Sequence, residues 1–322
     1  MNTEIGTSVD HAASLLLKGL PVAIPTETVY GLAANALDTD AVLEVYSIKG
    51  RPAFNPLIVH VHDFSEFEKY ACEIPAAVKL LAARFSPGPL TFVLPKRDII
   101  PDIVTGGGDT VALRIPAHPM TRELLRIAGI PLAAPSANPF GYISPVTASH
   151  VNDQLAGKIP YILDGGMCEI GVESTVVSLD NDELSVLRAG GISLEDLRSV
   201  VTNVRMRTSY SSLPHSPGQL KSHYAPRVPL VLGDIPELLS IHEGKRLAVL
   251  AFSNPYEKTE ILIQEVLSPA GDLREAARSL FSALRRLDAG GADVILAERV
   301  PEEGLGLAIN DRLERAAAGT AS

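Results

Sequence analysis

The chain has 322 residues, 46% of them apolar, and a formal net charge of −10. That length favours two domains over one, and the acidic balance has the wrong sign for non-specific nucleic-acid binding, which depends on neutralising phosphates. No apolar run approaches the ~20 residues of a membrane span, the acidic start "MNTEIGTSVDHAASLLLKGL" does not read as a secretory signal, and two distant cysteines, Cys72 and Cys168, match no metal spacing. A reduced, cytoplasmic protein without structural zinc is expected.

In chain order, residues 10–18 read as a helix closed by Gly19, and "PVAIPTET" as a short buried strand ending in a polar turn. "TDAVLEVYSIKG" offers Thr39 or Asp40 as N-cap, apolar residues at Val42, Val45, Tyr46 and Ile48, and Gly50 as the stop. "NPLIVHV" is a strand, "PAAVKLLAARF" a helix with Pro75 near its start, "LTFVL" and "TVALRI" are strands, and "HPMTRELLRIAG" is a helix. Then come the strand "PLAAP", a helix capped by Thr147, the strand "YILD", a hairpin over "STVVSLDNDELSVLR" and the helix "SLEDLRSVV". This order predicts an α/β domain over 1–202, a twisted mixed sheet with helices.

Residues 203–227 change texture. They are rich in Ser, Pro, His and basic side chains with little apolar periodicity, and read as a linker. From 228 to 322 the strands "VPLVLG", "RLAVLAF" and "DVILAE" and the helix "DLREAARSLFSALRRLDAGG" predict a smaller, Rossmann-like α/β domain. Leu273, Ala277, Leu280, Leu284 and Leu287 fall on one face of that helix, a stripe that reads as core.

Six polar stretches punctuate the first domain, mostly beside short strands: "PTETVYGL", "KGRPAFNPLIVH", "DTVALRIP", "APSANPFGYISP", "VESTVV" and "LRAGG". Loops at strand ends are where α/β sheets bind ligands. The inventory is hydroxyls, amides, Arg51, Arg114, Arg188, Lys49 and His60. No G-x-S-x-G elbow, Walker loop or G-x-G-x-x-G is present. A cationic, hydroxyl-rich site without an evident nucleophile suits phosphates and carboxylates, with catalysis by positioning and charge stabilisation. Taken singly the pieces stay ambiguous. Lys49 suits a helix C-terminus, Arg51 suits a surface ion pair, Ser136 and Asn138 suit a turn, and His60 suits a core. Arg114 sits among strand apolar residues and needs a partner, either a structural carboxylate or a ligand's.

Together, "PTETVYGLAANA", "IKGRPAFNPLIVHV", "SPGPLTFVL", "VALRIPAHP", "APSAN", "GVESTVV" and "LRAGG" resemble the threonylcarbamoyl-AMP synthase family, and "SHYAP" with a second α/β domain resembles its long, two-domain form. The family's Ser-Gly after "SAN" is replaced by Pro139-Phe140-Gly141, and Ala189 stands where "LRPG" has proline. The resemblance implies synthesis of L-threonylcarbamoyladenylate and pyrophosphate from L-threonine, bicarbonate and ATP. The product would pass to a separate transferase acting on adenosine 37 of ANN-decoding tRNAs. A weak contact to tRNA is left open.

Carried over, the resemblance places L-threonine on Thr28, His60, Arg114, Ala134 and Ser174. It places ATP on Lys49, Arg51, Asn55, Thr110, Ser136, Asn138, Ser144, Arg188, His223 and Tyr224, with 203–227 folding over the site. Magnesium is expected with ATP, and no other cofactor. Two rival readings are a carbamoyl transferase on a related domain, disfavoured by two cysteines and the length, and an RNA-binding module without chemistry, disfavoured by net charge.

Overall fold

The computed structural model describes residues 2–180, 183–207, 223–258 and 260–319. Its strands, in chain order, are β1 (Glu4–Gly6), β2 (Val22–Ile24), β3 (Gly31–Asn35), β4 (Ile58–His60), β5 (Leu90–Pro95), β6 (Thr110–Arg114), β7 (Leu132–Ala133), β8 (Tyr161–Leu163), β9 (Thr175–Asp180), β10 (Glu183–Arg188), β11 (Val204–Met206), β12 (Leu230–Leu232), β13 (Leu247–Ala251), β14 (Ile261–Val266) and β15 (Val294–Ala297). The first eleven form one mixed sheet in the order β1-β8-β2-β3-β7-β4-β6-β5-β9-β10-β11. The last four form a separate parallel sheet, β12-β15-β13-β14. The expected mixed α/β architecture with a smaller second α/β unit is what the chain adopts.

Side-chain alternation along a strand explains how the first sheet is covered. Val22, Ile24, Ala33, Tyr161 and Leu163 share a cluster with the helices Val9–Leu17 and Pro119–Ala128. Their neighbours Ala23, Leu32, Ala34 and Ile162 join a different cluster, with the helix Ala148–Leu155 and with Leu280, Phe281 and Leu284 of the helix Leu273–Ala289. The stripe predicted on that helix is therefore core, and the core is shared between the two sheets. Gly171 sits at the junction with φ +81°, and a Cβ there would lie 2.4 Å from the Ala277 carbonyl oxygen and from Arg278 Cα. Only glycine lets the loop approach the helix backbone so closely.

Some details differ from the sequence reading. The helix Thr39–Lys49 is capped by Asp38, whose carboxylate accepts from the amides of Asp40 and Ala41, so the cap lies one residue before the expected pair. Gly50 does end the helix, in the left-handed conformation. Residues 204–206, placed in the linker, instead form β11, which pairs in parallel with β10 at the sheet edge. Residues 208–222 of that segment, including Pro217, lie outside the described residues. Among the described residues no helix is long and apolar enough to cross a membrane.

Candidate active site

Strand register builds the site. His60 pairs with Arg114 across β4 and β6, Arg114 with Thr91, Thr91 with Val176, and Val176 with Arg188. Four strand spacings separate His60 from Arg188, about 19 Å. The row thus carries one charged or polar side chain after another across the width of the sheet. Loops add the rest: Thr28 between β2 and β3, Ala134 just after β7 with its amide on the Ile58 carbonyl at 3.0 Å, and Ser174 just before β9.

A concave cavity runs along this row. Its walls include Thr28, Arg51, Asn55, His60, Arg114, Ala134, Ser136, Ser174, Arg188, His223 and Tyr224, all expected from the sequence, together with Glu173. Four expected residues do not line it. Lys49 is buried behind the wall and donates its Nζ to the carbonyls of Ser136 (2.6 Å) and Asn138 (2.5 Å), clamping the "PSAN" loop. Asn138 donates Nδ2 to the carbonyls of Pro139 and Tyr142, both at 2.8 Å. Ser144 donates to Glu173 Oε1 at 2.7 Å, so it meets the cavity through that carboxylate. Thr110, at the start of β6, is also off the wall.

The three arginines are held alike. Arg51 donates Nε to the Asn55 carbonyl (3.1 Å) and Nη2 to that of Pro56 (2.9 Å). Arg188 donates Nε (3.1 Å) and Nη2 (2.9 Å) to the Ser174 carbonyl, and Nη2 also to the Ser174 hydroxyl (3.1 Å). Arg114 donates Nε to the Gly88 carbonyl (3.3 Å) and Nη2 to Glu27 Oε1 (2.7 Å) and Thr28 Oγ1 (3.0 Å). Each guanidinium is thus fixed through two nitrogens, and among the described residues its Nη1 has no hydrogen-bond partner. The structural carboxylate considered for Arg114 exists, and it is Glu27, but it occupies only one edge of the fork. Three buried polar atoms on the wall, Asn55 Oδ1, His60 Nδ1 and His223 Nδ1, also have no partner among the described residues. Buried polar groups are seldom left so in native structures, and a cluster of them calls for a missing ligand.

Electrostatics point the same way. Burial, then Arg51, pull Lys49 well below its ordinary pKa. Burial lowers Arg51 to about 10. It also lowers Arg188. His223 falls well below the usual histidine value through burial and then Arg51, Lys49, Arg315 and Arg188. His60 drops to about 3 through burial and then Arg114. Desolvated cations that depress one another form a site whose charge an anion would offset.

A family model described as telomere recombination (Sua5, YciO and YrdC) matches residues 14–190, and that of the threonylcarbamoyl-AMP synthase C-terminal domain matches 192–318. A threonylcarbamoyl-AMP synthase of Pyrococcus abyssi is 44% identical, covering 95% of this chain and 92% of its own. That of Bacillus subtilis is 43% identical over 97% and 93%. The crystal structure of P. abyssi Sua5 complexed with L-threonine superposes with a TM-score of 0.92 at 41% identity, covering 99% and 98%. The chain belongs to the threonylcarbamoyl-AMP synthase family. It is accordingly an enzyme of the transferase type linked to tRNA modification.

Three charged residues of this synthase fold were not singled out by the sequence reading. Glu27 holds Arg114 and also accepts the Ala117 amide at 3.0 Å. Glu173 joins Ser144 to Arg312, which arrives from the helix Gly306–Ala318 of the second unit. Glu27 and Glu173 lie inside stretches already quoted, where a carboxylate beside arginines was the available signal. Arg312 carries no local signal. The close fit of "RAGG" against "EST" depends on Gly190, where a Cβ would fall 2.3 Å from the Ser174 carbonyl carbon and 2.4 Å from the Glu173 oxygen.

No group of three or more His, Cys, Asp or Glu among the described residues could hold a metal. Glu173, the carboxylate on the wall, has one oxygen bonded to Ser144 and the other to Arg312. These residues do not fit a magnesium held by the protein.

Proposed function

We propose that this chain condenses L-threonine, bicarbonate and ATP into L-threonylcarbamoyladenylate and pyrophosphate. The observation that carries the reading is the set of three anchored guanidiniums on one cavity wall, each with Nη1 unengaged among the described residues, beside three buried polar atoms without a partner there. Arg114 Nη1 takes the threonine carboxylate, with Thr28, His60, the Ala134 backbone and Ser174 completing that end. Arg51, Asn55 and Arg188 face the triphosphate, and Ser136, His223 and Tyr224 complete the nucleotide end. Lys49 and Ser144 act from behind the wall, and Thr110 and Asn138 are assigned no direct contact. Magnesium enters bound to the phosphate oxygens and water, and no step below depends on it.

The threonine amine bonds to the bicarbonate carbon, releasing water and leaving a carbamate. A carbamate oxygen then bonds to the α-phosphorus as the bond to the bridging oxygen breaks and pyrophosphate departs. Both partners are anionic, so fixed guanidiniums lower the barrier by offsetting charge that is already desolvated. His223 and Tyr224 close one side of the cavity, which helps keep water from a labile carbamate and mixed anhydride. The adenylate is then handed to a separate transferase for adenosine 37 of ANN-decoding tRNAs, in the cytoplasm.

The test is pyrophosphate release by the full chain in the presence of magnesium. Release is expected only with ATP, L-threonine and bicarbonate together. Equal release without threonine would sink the assignment.

A further inference from the structure

Arg312 is the largest fully buried side chain among the described residues, with 0% exposure, and it comes from the second unit. Its Nε donates to Glu173 Oε2 at 3.0 Å, and Nη1 donates to the Ala189 carbonyl at 2.7 Å and to Asp311 Oδ2 at 2.8 Å. The guanidinium carbon also lies 5.4 Å from the Tyr224 ring centroid, and that ring stacks on Phe281 at 5.6 Å and meets His223 edge-on at 4.3 Å. One side chain therefore holds the residue before Ser174 and the residue after Arg188. Those two are themselves joined, because Arg188 is anchored on the Ser174 carbonyl.

We infer that Arg312 is a positioning residue for the nucleotide end of the active site, neutralising the Glu173 carboxylate on the cavity wall and fixing the Ala189 carbonyl so that Arg188 keeps Nη1 toward the phosphates. The inference rests on the proposed adenylate synthesis.

The chemistry requires such a residue. Burial alone would raise the Glu173 pKa, yet Arg312, Arg188 and the Ser144 hydroxyl outweigh it and keep the carboxyl below its usual value. Glu173 is thus an anion on the wall of a cavity meant for a polyanion. Paired with Arg312 it is harmless. Unpaired, it would repel phosphate in a poorly screened setting and compete for Arg188. Threonine binds at the Arg114 end of the row, where Glu27 has its own partner, so loss of Arg312 should act on one substrate only.

Initial rates of pyrophosphate release by full-length Arg312→Met, Arg312→Lys and Arg312→Met/Glu173→Gln test this. For Arg312→Met, the KM for ATP should rise about ten-fold or more, the loss of a charge-assisted contact, with the KM for threonine within about two-fold. Removing the stranded charge in the double variant should return the ATP KM to within about three-fold of the parent. A structural strut would instead lower the unfolding midpoint of the single and double variants alike and leave the ATP KM unmoved. That result, an equal rise in both KM values, or no recovery in the double variant would overturn the inference. If Arg312→Met does not fold, Arg312→Lys keeps a charge against Glu173 but loses the bond that fixes the Ala189 carbonyl, so a smaller rise in the ATP KM, about three-fold or more, is expected there with the threonine KM unmoved, and an unchanged ATP KM is equally fatal. A parent enzyme that releases no pyrophosphate with all three substrates overturns the functional reading itself, whatever the variants do.

Discussion

Arg114→Lys separates the two jobs that one guanidinium performs. Nη2 is committed to Glu27 at 2.7 Å and Thr28 at 3.0 Å, and Nε to Gly88 at 3.3 Å. Glu27 cannot follow a shorter partner, because its other oxygen is tied to the Ala117 amide. A lysine has a single charged centre. Buried beside a fixed carboxylate, it will serve Glu27 and leave the threonine carboxylate unmet. Losing one charge-assisted bond costs about 1.5–3 kcal/mol, so the KM for threonine should rise about 10- to 150-fold. The KM for ATP should stay within about two-fold, since Arg51 and Arg188 are untouched. Arg114→Met would be a poor substitute. It strands Glu27 as a buried charge at a cost of about 3–5 kcal/mol, mixing stability with binding. The assay is initial-rate pyrophosphate release, titrating threonine at saturating ATP and ATP at saturating threonine. A threonine KM unchanged in a folded Arg114→Lys enzyme would refute the fork and make Arg114 a partner of Glu27 alone.

Arg51→Ala and Arg188→Ala should each weaken ATP binding by about 1.5–3 kcal/mol, and calorimetry showing parental affinity in both would remove the phosphate site. Gly190→Ala forces a Cβ to 2.3 Å from the Ser174 carbonyl carbon, and overpacking of this kind should cost about 1–3 kcal/mol in urea unfolding together with activity. His60, with a pKa near 3 in the folded chain and about 6.5 unfolded, binds its proton more readily once unfolded. Its contribution is therefore complete above about pH 6.5 and is lost as pH falls toward 3. His60→Gln should lose less stability than the parent between pH 7 and 5, by about 2 kcal/mol, and parallel pH profiles from urea melts would contradict this.

Most of the cavity wall could be read from the sequence because it is assembled from strand ends. Thr28, Asn55, Ala134, Ser136 and Ser174 occupy short polar loops whose composition differs sharply from the apolar strands beside them. The register that aligns His60 with Arg114 and Arg188 is a property of pairing across five strands. It could be named only by analogy with a family. The direction in which a loop residue points was harder still. Asn138 and Ser144 sit in the right loops yet turn toward Tyr142 and Glu173. The cap at Asp38 was missed because any of three neighbouring polar residues satisfies the pattern, and only backbone geometry chooses among them. β14 was missed although "ILIQEV" is rich in β-branched residues, and Arg312 could not be found at all. Its partners in the first sheet's loops lie 139 and 123 residues away, beyond any local periodicity.

The apolar cluster that runs from β2 and β3 into the helix Leu273–Ala289 has a bearing on how this molecule comes apart. Residues from both sheets contribute to one continuous interior, so neither half can lose its packing without exposing the other. Leu280→Ala, a cavity about 30 residues before Arg312 in the chain, should cost about 2–5 kcal/mol and appear in a melt followed from either half, as a single shifted transition. It follows that ATP or threonine, bound against the first sheet, should protect amide hydrogens in β13 and β15 from exchange as strongly as those in β4 and β6. Cutting the chain after residue 207 would then give a fragment with an open greasy face, prone to self-association, and its inactivity would say little about chemistry.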